Sequence, residues 1–407
     1  MTTLAAILLL VTLGAPPALA AAGDLDPGFD GDGKVTTPFP VGSFANALAI
    51  QADGKIVAVG AAAGDTGTGE FAIARYETDG GLDGTFGAGG TVTTPIAGGG
   101  GDEARSVAIQ PNGKIVVGGT DSFERFAIVR YRADGTLDDS FGGDGIVRTD
   151  MSPSEDIAYG VAIQANGRIV AVGRAGLKSR FALVRYRSDG TLDRSFGDRG
   201  TVLIERRWGV GRAVAIQPDG RIVVTGYNSY GLLVARFLTD GTPDDTFSGD
   251  GFVRRVVSEI LPLAIALQSN GKIVVGGDFD IFARGLARFT SAGRLDDTFG
   301  GDGIVRTRVG SGEQAVAGLA IQPDGRIVAA GYVGPHEGGT DEVFHMAVTR
   351  HLRNGRLDDS WSGNGKVITD FAGGSFARGV ALQADGKVLV AGGAEDPQAF
   401  ALVRYLT

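Results

Sequence analysis

No cysteine occurs in the 407 residues. That excludes a disulfide framework, a thiol nucleophile and lipid attachment through an N-terminal cysteine, so the fold must be held by its core alone. Histidine is nearly as scarce. His336, His345 and His351 fall in one stretch, and their spacing establishes no shared metal site. No Gly-x-Ser-x-Gly elbow, no helix-borne His-Glu pair and no Ser-x-Asp-x-Gly-x-Thr-Trp box occurs, so these familiar hydrolase signatures are missing. Basic runs are missing too: 38 Lys and Arg stand against 47 Asp and Glu, a net charge of −9. That balance argues against nucleic acid or an anionic membrane as partner.

Only one long apolar run exists. Leu4 to Gly14 (LAAILLLVTLG) has the length of a signal-peptide core, too short to span a bilayer, and no Lys or Arg precedes it. Ala18-Leu19-Ala20 follows with a small-x-small cleavage pattern. The expectation is an export signal over residues 1–20 and a secreted monomer, periplasmic or extracellular, with no transmembrane segment. Tyr405-Leu406-Thr407 forms no sorting tail.

Glycine, in contrast, is abundant at 68 residues, and it recurs at fixed places, which marks turns in a folded repeat. A glutamine marks each copy: Gln51, Gln110, Gln164, Gln217, Gln268, Gln322 and Gln383, at intervals of 51 to 61 residues. Self-similarity of this period signals a repeat architecture. Each copy reads as four strands. Strand A is of the Ala213 to Gln217 type and strand B of the Arg221 to Gly226 type. They are joined by Asp53-Gly54, Asn112-Gly113, Asn166-Gly167, Asp219-Gly220, Asn270-Gly271, Asp324-Gly325 or Asp385-Gly386. Such dipeptides predict a type I′ hairpin turn. Strand C is of the Phe126 to Tyr131 type. After a second turn and a Leu-Asp-x-x-Phe element, strand D closes the copy, as at Gly145 to Val147.

Four short antiparallel strands per copy, rich in β-branched residues, describe a propeller blade. A solenoid would need polar end copies, which are not seen. The two ends decide the matter. Leu25 to Phe29 and Gly33 to Val35 make a strand D with nothing before it, whereas Val380 to Tyr405 supplies A, B and C with no D after them. One blade split between the ends closes a ring and removes its free edges. The expected fold is therefore all-β: a single seven-bladed β-propeller of four-stranded antiparallel blades over residues 21–407. Its N-terminal strand completes the C-terminal blade.

The unit AIQPDGRIVVTG, followed by ARF, LTDGTPDDTF and SGDGFV, resembles the delta-60 repeat of exported bacterial proteins, and the resemblance covers essentially all of residues 21–407. It implies a propeller-like protein outside the cytoplasm. It brings no catalytic residues with it, because the family has no established reaction or ligand.

Two charges recur in every copy. Strand C carries Arg75, Arg130, Arg185, Arg236, Arg288, Arg350 and Arg404, and the Leu-Asp element carries Asp26, Asp83, Asp138, Asp193, Asp244, Asp296 and Asp358. Arg130 shares a strand face with Phe126 and Ile128, so its stem is packed and its guanidinium needs a carboxylate. A residue needed seven times over reads as structural. Phe29, Phe86, Phe141, Phe196, Phe247, Phe299 and Trp361 follow those aspartates as core anchors. Asp24, Asp26, Asp30 and Asp32, with Asp144, Asp250 and Asp302 at the Asp32 position, suggest calcium. They lack the glutamate of the twelve-residue loop, and Asx turns account for them without metal.

The A–B and C–D turns are nearly uniform and share one face of the ring; the B–C and D–A loops vary and share the other. Ala61 to Glu70, Tyr332 to Val343 and Gly98 to Glu103 are examples. Variable loops on a rigid scaffold are the usual place for a site. In the fourth copy Arg206, Arg207 and Trp208 share that face with Tyr227 and Tyr230, a set suited to stacking on a sugar or anchoring a protein. The expected function is a non-enzymatic binding or interaction scaffold with a carbohydrate or protein partner and no cofactor. A hydrolase or lactonase at the central channel, and a purely structural envelope protein, are the competing readings.

Overall fold

Each of the seven Asp-Gly and Asn-Gly dipeptides between strands A and B makes a hairpin, though of another type than expected. Their glycines take φ between 79° and 91°, but none of the preceding Asp or Asn residues has positive φ. Gly54 N–H donates to Gln51 O and Gln51 N–H to Lys55 O. This is the three-residue loop in which a right-handed turn ends on a left-handed glycine, and it replaces the type I′ turn. The side chain explains the choice. Asp53 Oδ1 accepts the Lys55 N–H at 3.1 Å, an Asx bond that holds Asp53 itself in the right-handed region.

The computed structural model describes residues 20–407 apart from 64–68, 97–100, 122–124, 178, 205–208, 230, 255–260, 281–282, 311 and 336–342. The predicted export signal, Ala20 excepted, lies outside the described residues. From Lys34 to Tyr405 the chain forms seven four-stranded antiparallel sheets, the blades of a propeller. In the first blade Ser43–Ile50, Ile56–Ala63, Gly69–Tyr76 and Thr91–Thr94 lie in the order A-B-C-D. The seventh blade is the split one: Lys34–Pro38 pairs with Gln398–Tyr405, outside Val388–Glu395 and Ser375–Leu382. Strand A of each blade neighbours strand A of the blades on either side, so the A strands surround the central channel.

The core lies between blades. Phe29, Val35, Leu389 and Phe400 of the seventh blade pack with Ile56, Ala58 and Tyr76 of the first, and each junction repeats the pattern. The repeated Arg–Asp pair forms in all seven blades, with Nε to Oδ2 distances of 2.6 to 2.9 Å. Arg130 Nη1 also donates to Ser188 O of the next blade at 2.5 Å, and its guanidinium carbon sits 4.6 Å from the Phe141 ring centre. Burial by itself would raise the Asp138 carboxyl. Bonds from Lys114, Ser140 and Arg130 outweigh that and hold it well below the usual carboxylate range. The anchoring aromatics, Trp361 included, are fully buried.

A second tie was not read from the sequence. The strand C tyrosine of one blade bonds a strand D threonine of the preceding blade: Tyr76 to Thr37, Tyr131 to Thr94, Tyr186 to Thr149 and Tyr405 to Thr369, at 2.6 to 2.8 Å. In the sixth blade His351 takes the tyrosine's place. It is buried, with its ring nitrogens on Gly355 O and Thr349 Oγ1.

Candidate ligand site at the channel mouth

Strand A begins on the variable-loop face, and three or four residues in, it is irregular in every blade. Pairing with strand B skips one residue each time: Asn46, Arg105, Tyr159, Arg212, Leu263, Ala317 and Arg378. Each stands five positions before the repeated glutamine. A bulge leaves its extra residue out of the ladder and re-aims the side chain. Here all seven turn into the channel, where they line one cavity of about 490 Å³.

Two local features produce this ring. The residue after each bulge is small (Ala47, Ser106, Gly160, Ala213, Ala264, Gly318 and Gly379), because the A strands approach one another closely there. A Cβ on Gly379 would lie 3.1 Å from the Leu48 backbone nitrogen of the neighbouring blade. Opposite each bulge, strand B carries a glycine: Gly60, Gly119, Gly173, Gly226, Gly277, Gly331 or Gly392. A Cβ on any of them would meet a strand A carbonyl oxygen at 1.8 to 2.2 Å. Glycine inside a strand is a recognised bulge signal, and this series was the sequence clue to the site.

The ring is uneven. Going round it, Arg378, Asn46, Arg105, Tyr159 and Arg212 form a polar arc, and Leu263 with Ala317 form an apolar one. Arg378 Nη1 donates to Asn46 Oδ1 at 2.8 Å, Asn46 Nδ2 to Glu103 Oε1 at 2.9 Å, and Arg105 pairs with Glu103 Oε2 at 2.5 Å. Arg105 and Arg212 lie 5.1 and 4.2 Å from the Tyr159 ring centre, a cation–π arrangement. Tyr332, Phe344 and Phe376 complete the wall, with Tyr332 and Phe344 edge to face at 5.3 Å. Behind the apolar arc, burial and then neighbouring Glu313 push the Asp278 carboxyl up to about 6. Arg284 is fully buried there, in the strand position that holds phenylalanine in four of the other blades, and burial pushes its guanidinium down.

Of the five residues singled out on the fourth blade, Arg206, Arg207, Trp208 and Tyr230 lie outside the described residues. Tyr227 sits on strand B with its ring 5.6 Å from the Arg212 guanidinium carbon, at the edge of the polar arc. The proposed calcium aspartates are engaged locally. Asp32, Asp144, Asp250 and Asp302 each accept the backbone N–H two residues on, at 2.8 to 3.0 Å. Among the described residues, no three Asp, Glu, His or Cys side chains converge to hold a metal ion. His345 pairs with Asp370 at 2.7 Å, whereas His351 is buried in the sixth blade.

Residues 51–86, 110–141, 164–196, 217–247, 268–299 and 383–407 match the family model described as a domain of unknown function, DUF5122 beta-propeller. Each segment opens on the repeated glutamine, and the first five end on or beside the anchoring phenylalanine. These six segments are repeats of a β-propeller family. No curated protein matches the chain. Among solved structures, the extracellular domain of a putative one-component system from B. thetaiotaomicron is 12% identical with a TM-score of 0.49. That match covers 91% of this chain, which spans only 40% of the other. A gluconolactonase from Xanthomonas campestris is 14% identical with a TM-score of 0.39, over 73% of this chain and 83% of its own. An ulvan lyase is 13% identical with a TM-score of 0.47, over 92% and 96%. Such distant likenesses bear on neither ligand nor reaction. Within the propeller repeat, the position five before the glutamine is where inward-facing chemistry differs from blade to blade. Among described residues no helix is long and apolar enough to cross a membrane.

Proposed function

We propose that this propeller is an exported, non-enzymatic binding scaffold of the delta-60 kind, and that it takes a small molecule or sugar unit at the loop-face mouth of its central channel. One observation carries this reading. Seven bulges built by the same small residues and glycines present seven side chains at one level, and those side chains vary chemically from arginine to leucine. A scaffold held constant around a varied, concave and partly aromatic surface is what ligand recognition requires. Tyr227, from the set first expected on the fourth blade, joins the site through Arg212. A hydrolase or lactonase at the same mouth would need carboxylates free to activate water, whereas the lining is cationic and aromatic, with Glu395 in its wall and Glu103 engaged by Asn46 and Arg105.

The test is a thermal-shift screen of the protein with glycans, lactones, small acids and calcium, repeated on Ala317→Trp. Ala317 is partly exposed in the cavity wall, so an indole there fills the mouth from its apolar side. A ligand at a hundred times its dissociation constant stabilises the native state by about 2.7 kcal/mol. A shift that disappears in Ala317→Trp supports the proposal. A shift that survives the substitution, or a lactone consumed with release of its acid, would overturn it.

A further inference from the structure

The three arginines of the ring are not equivalent. Arg105 is neutralised by Glu103, and Arg378 spends a donor on Asn46. Arg212 makes neither an ion pair nor a hydrogen bond among the described residues, and its Nε is buried without a partner. Its guanidinium carbon lies 4.2 Å from the Tyr159 ring centre and 5.6 Å from that of Tyr227, so two aromatic rings orient it. Asp278 feels its charge from the fifth blade but offers it no hydrogen bond. A guanidinium stripped of water on its flanks and left with unused donors is poised for an anion.

What lies beside it defines the rest of the ligand. The next two ring positions are Leu263 and Ala317, and Tyr332 and Phe344 line the same cavity. A ligand held by Arg212 therefore extends across an apolar and aromatic floor within about 490 Å³, the volume of a small organic molecule. The fork of a guanidinium matches a carboxylate in two parallel bonds. A doubly charged phosphate would lose more hydration against such walls than one arginine restores.

Resting on the mouth being the binding site, we infer that it takes a small organic carboxylate, its acid group on Arg212 and its ring or alkyl body across Leu263 and Ala317. The body has two sources of the same chemistry, an apolar acid or an acidic sugar, and calorimetry on the full chain separates them. Benzoate is titrated against benzamide, and glucuronate against glucose, with inorganic phosphate as a third arm. Expected is at least a tenfold preference for one carboxylate over its neutral counterpart. Arg212→Gln should abolish that preference and Arg212→Lys should keep part of it. All binding should be lost in Ala317→Trp.

Equal binding of acid and neutral forms, lost in Ala317→Trp but unchanged in Arg212→Gln, would overturn the carboxylate assignment and leave the mouth as the site. A carboxylate preference that survives Ala317→Trp would overturn the mouth as well. Phosphate bound more tightly than both acids, or no binding in any arm at millimolar concentration, would also overturn the inference.

Discussion

His351 stands where four other blades place an interblade tyrosine, and its buried ring bonds within its own blade, to Gly355 O and Thr349 Oγ1. Burial pushes its imidazole down to about 4, against about 6.5 in an unfolded chain. Between those values the unfolded chain binds the extra proton, so the neutral, buried ring stabilises the native state fully above pH 6.5. That contribution is lost as the pH falls toward 4, and it amounts to about 3 kcal/mol. Tyrosine stands at this position in four other blades, bonded to the strand D threonine of the preceding blade. The corresponding threonine here, Thr307, is buried. His351→Tyr is expected to form that bond and to flatten the dependence of melting temperature on pH between 6.5 and 4. Melts of both proteins across that range check it; parallel curves would show that His351 does not titrate on unfolding. The seven paired aspartates act in the same sense at lower pH. Their carboxyls are held below the ordinary range, so their contribution is present above about pH 4 and lost as acid protonates them.

Among the elements, strand A is the one whose shape decides the site. Its bulge depends on the glycine across the ladder. At Gly173 an added Cβ would lie 1.8 Å from Ile157 O, so Gly173→Ala must push the strands apart or flatten the bulge. The expected loss is about 3 kcal/mol, with Tyr159 displaced from between Arg105 and Arg212. Gly84 supplies the control, for nothing lies within 4 Å of its added Cβ and its φ is not positive. Gly84→Ala should raise stability by roughly 0.5 kcal/mol through the unfolded chain. Urea melts of the two variants settle the contrast, and equal effects would mean that the bulge is not held by its glycine. The same element explains what could be read beforehand. Blade number, strand order, the Arg–Asp pairs and the split blade follow from residues that repeat in register, such as Gln51 and Gln110. The site did not follow, because its residues are the ones that do not repeat. The residues around Trp208 stand out by their aromatic and basic types, whereas Arg212, four residues on, falls just before the strand expected from Ala213. A bulge reverses that inference by turning one strand residue into the channel. Only the unexplained glycine inside strand B betrayed it.

For the whole ring, the consequence of the split blade is mechanical. Blades meet through side-chain packing, the Tyr–Thr bonds, the arginine bonds to the next turn and a single turn-to-turn backbone bond such as Gly87 N–H to Asp134 O, but only the seventh blade is held by backbone strand pairing between the two ends of the chain. Lys34–Pro38 is paired along its length with Gln398–Tyr405, and Asp26 gives its carboxylate to both Arg404 and Lys387. Gly23 N–H donates to Leu406 O at 2.9 Å, so a short linker suffices to join Thr407 to Ala20. A circular permutant joined there and reopened between Gly99 and Gly100 keeps every strand and every pair. It moves the break to a junction between whole blades, where no sheet hydrogen bonds cross. Sheet pairing contributes only if both strands stay aligned, and a seam without it opens more readily at the ends of the chain. The permutant is therefore expected to fold to the same propeller, with an unchanged circular dichroism spectrum, but to unfold faster in denaturant and to exchange the amides flanking the new seam sooner. Unfolding rates equal to those of the parent would show that side-chain packing between blades closes the ring by itself. The split blade would then be an accident of where the chain is cut and no clasp.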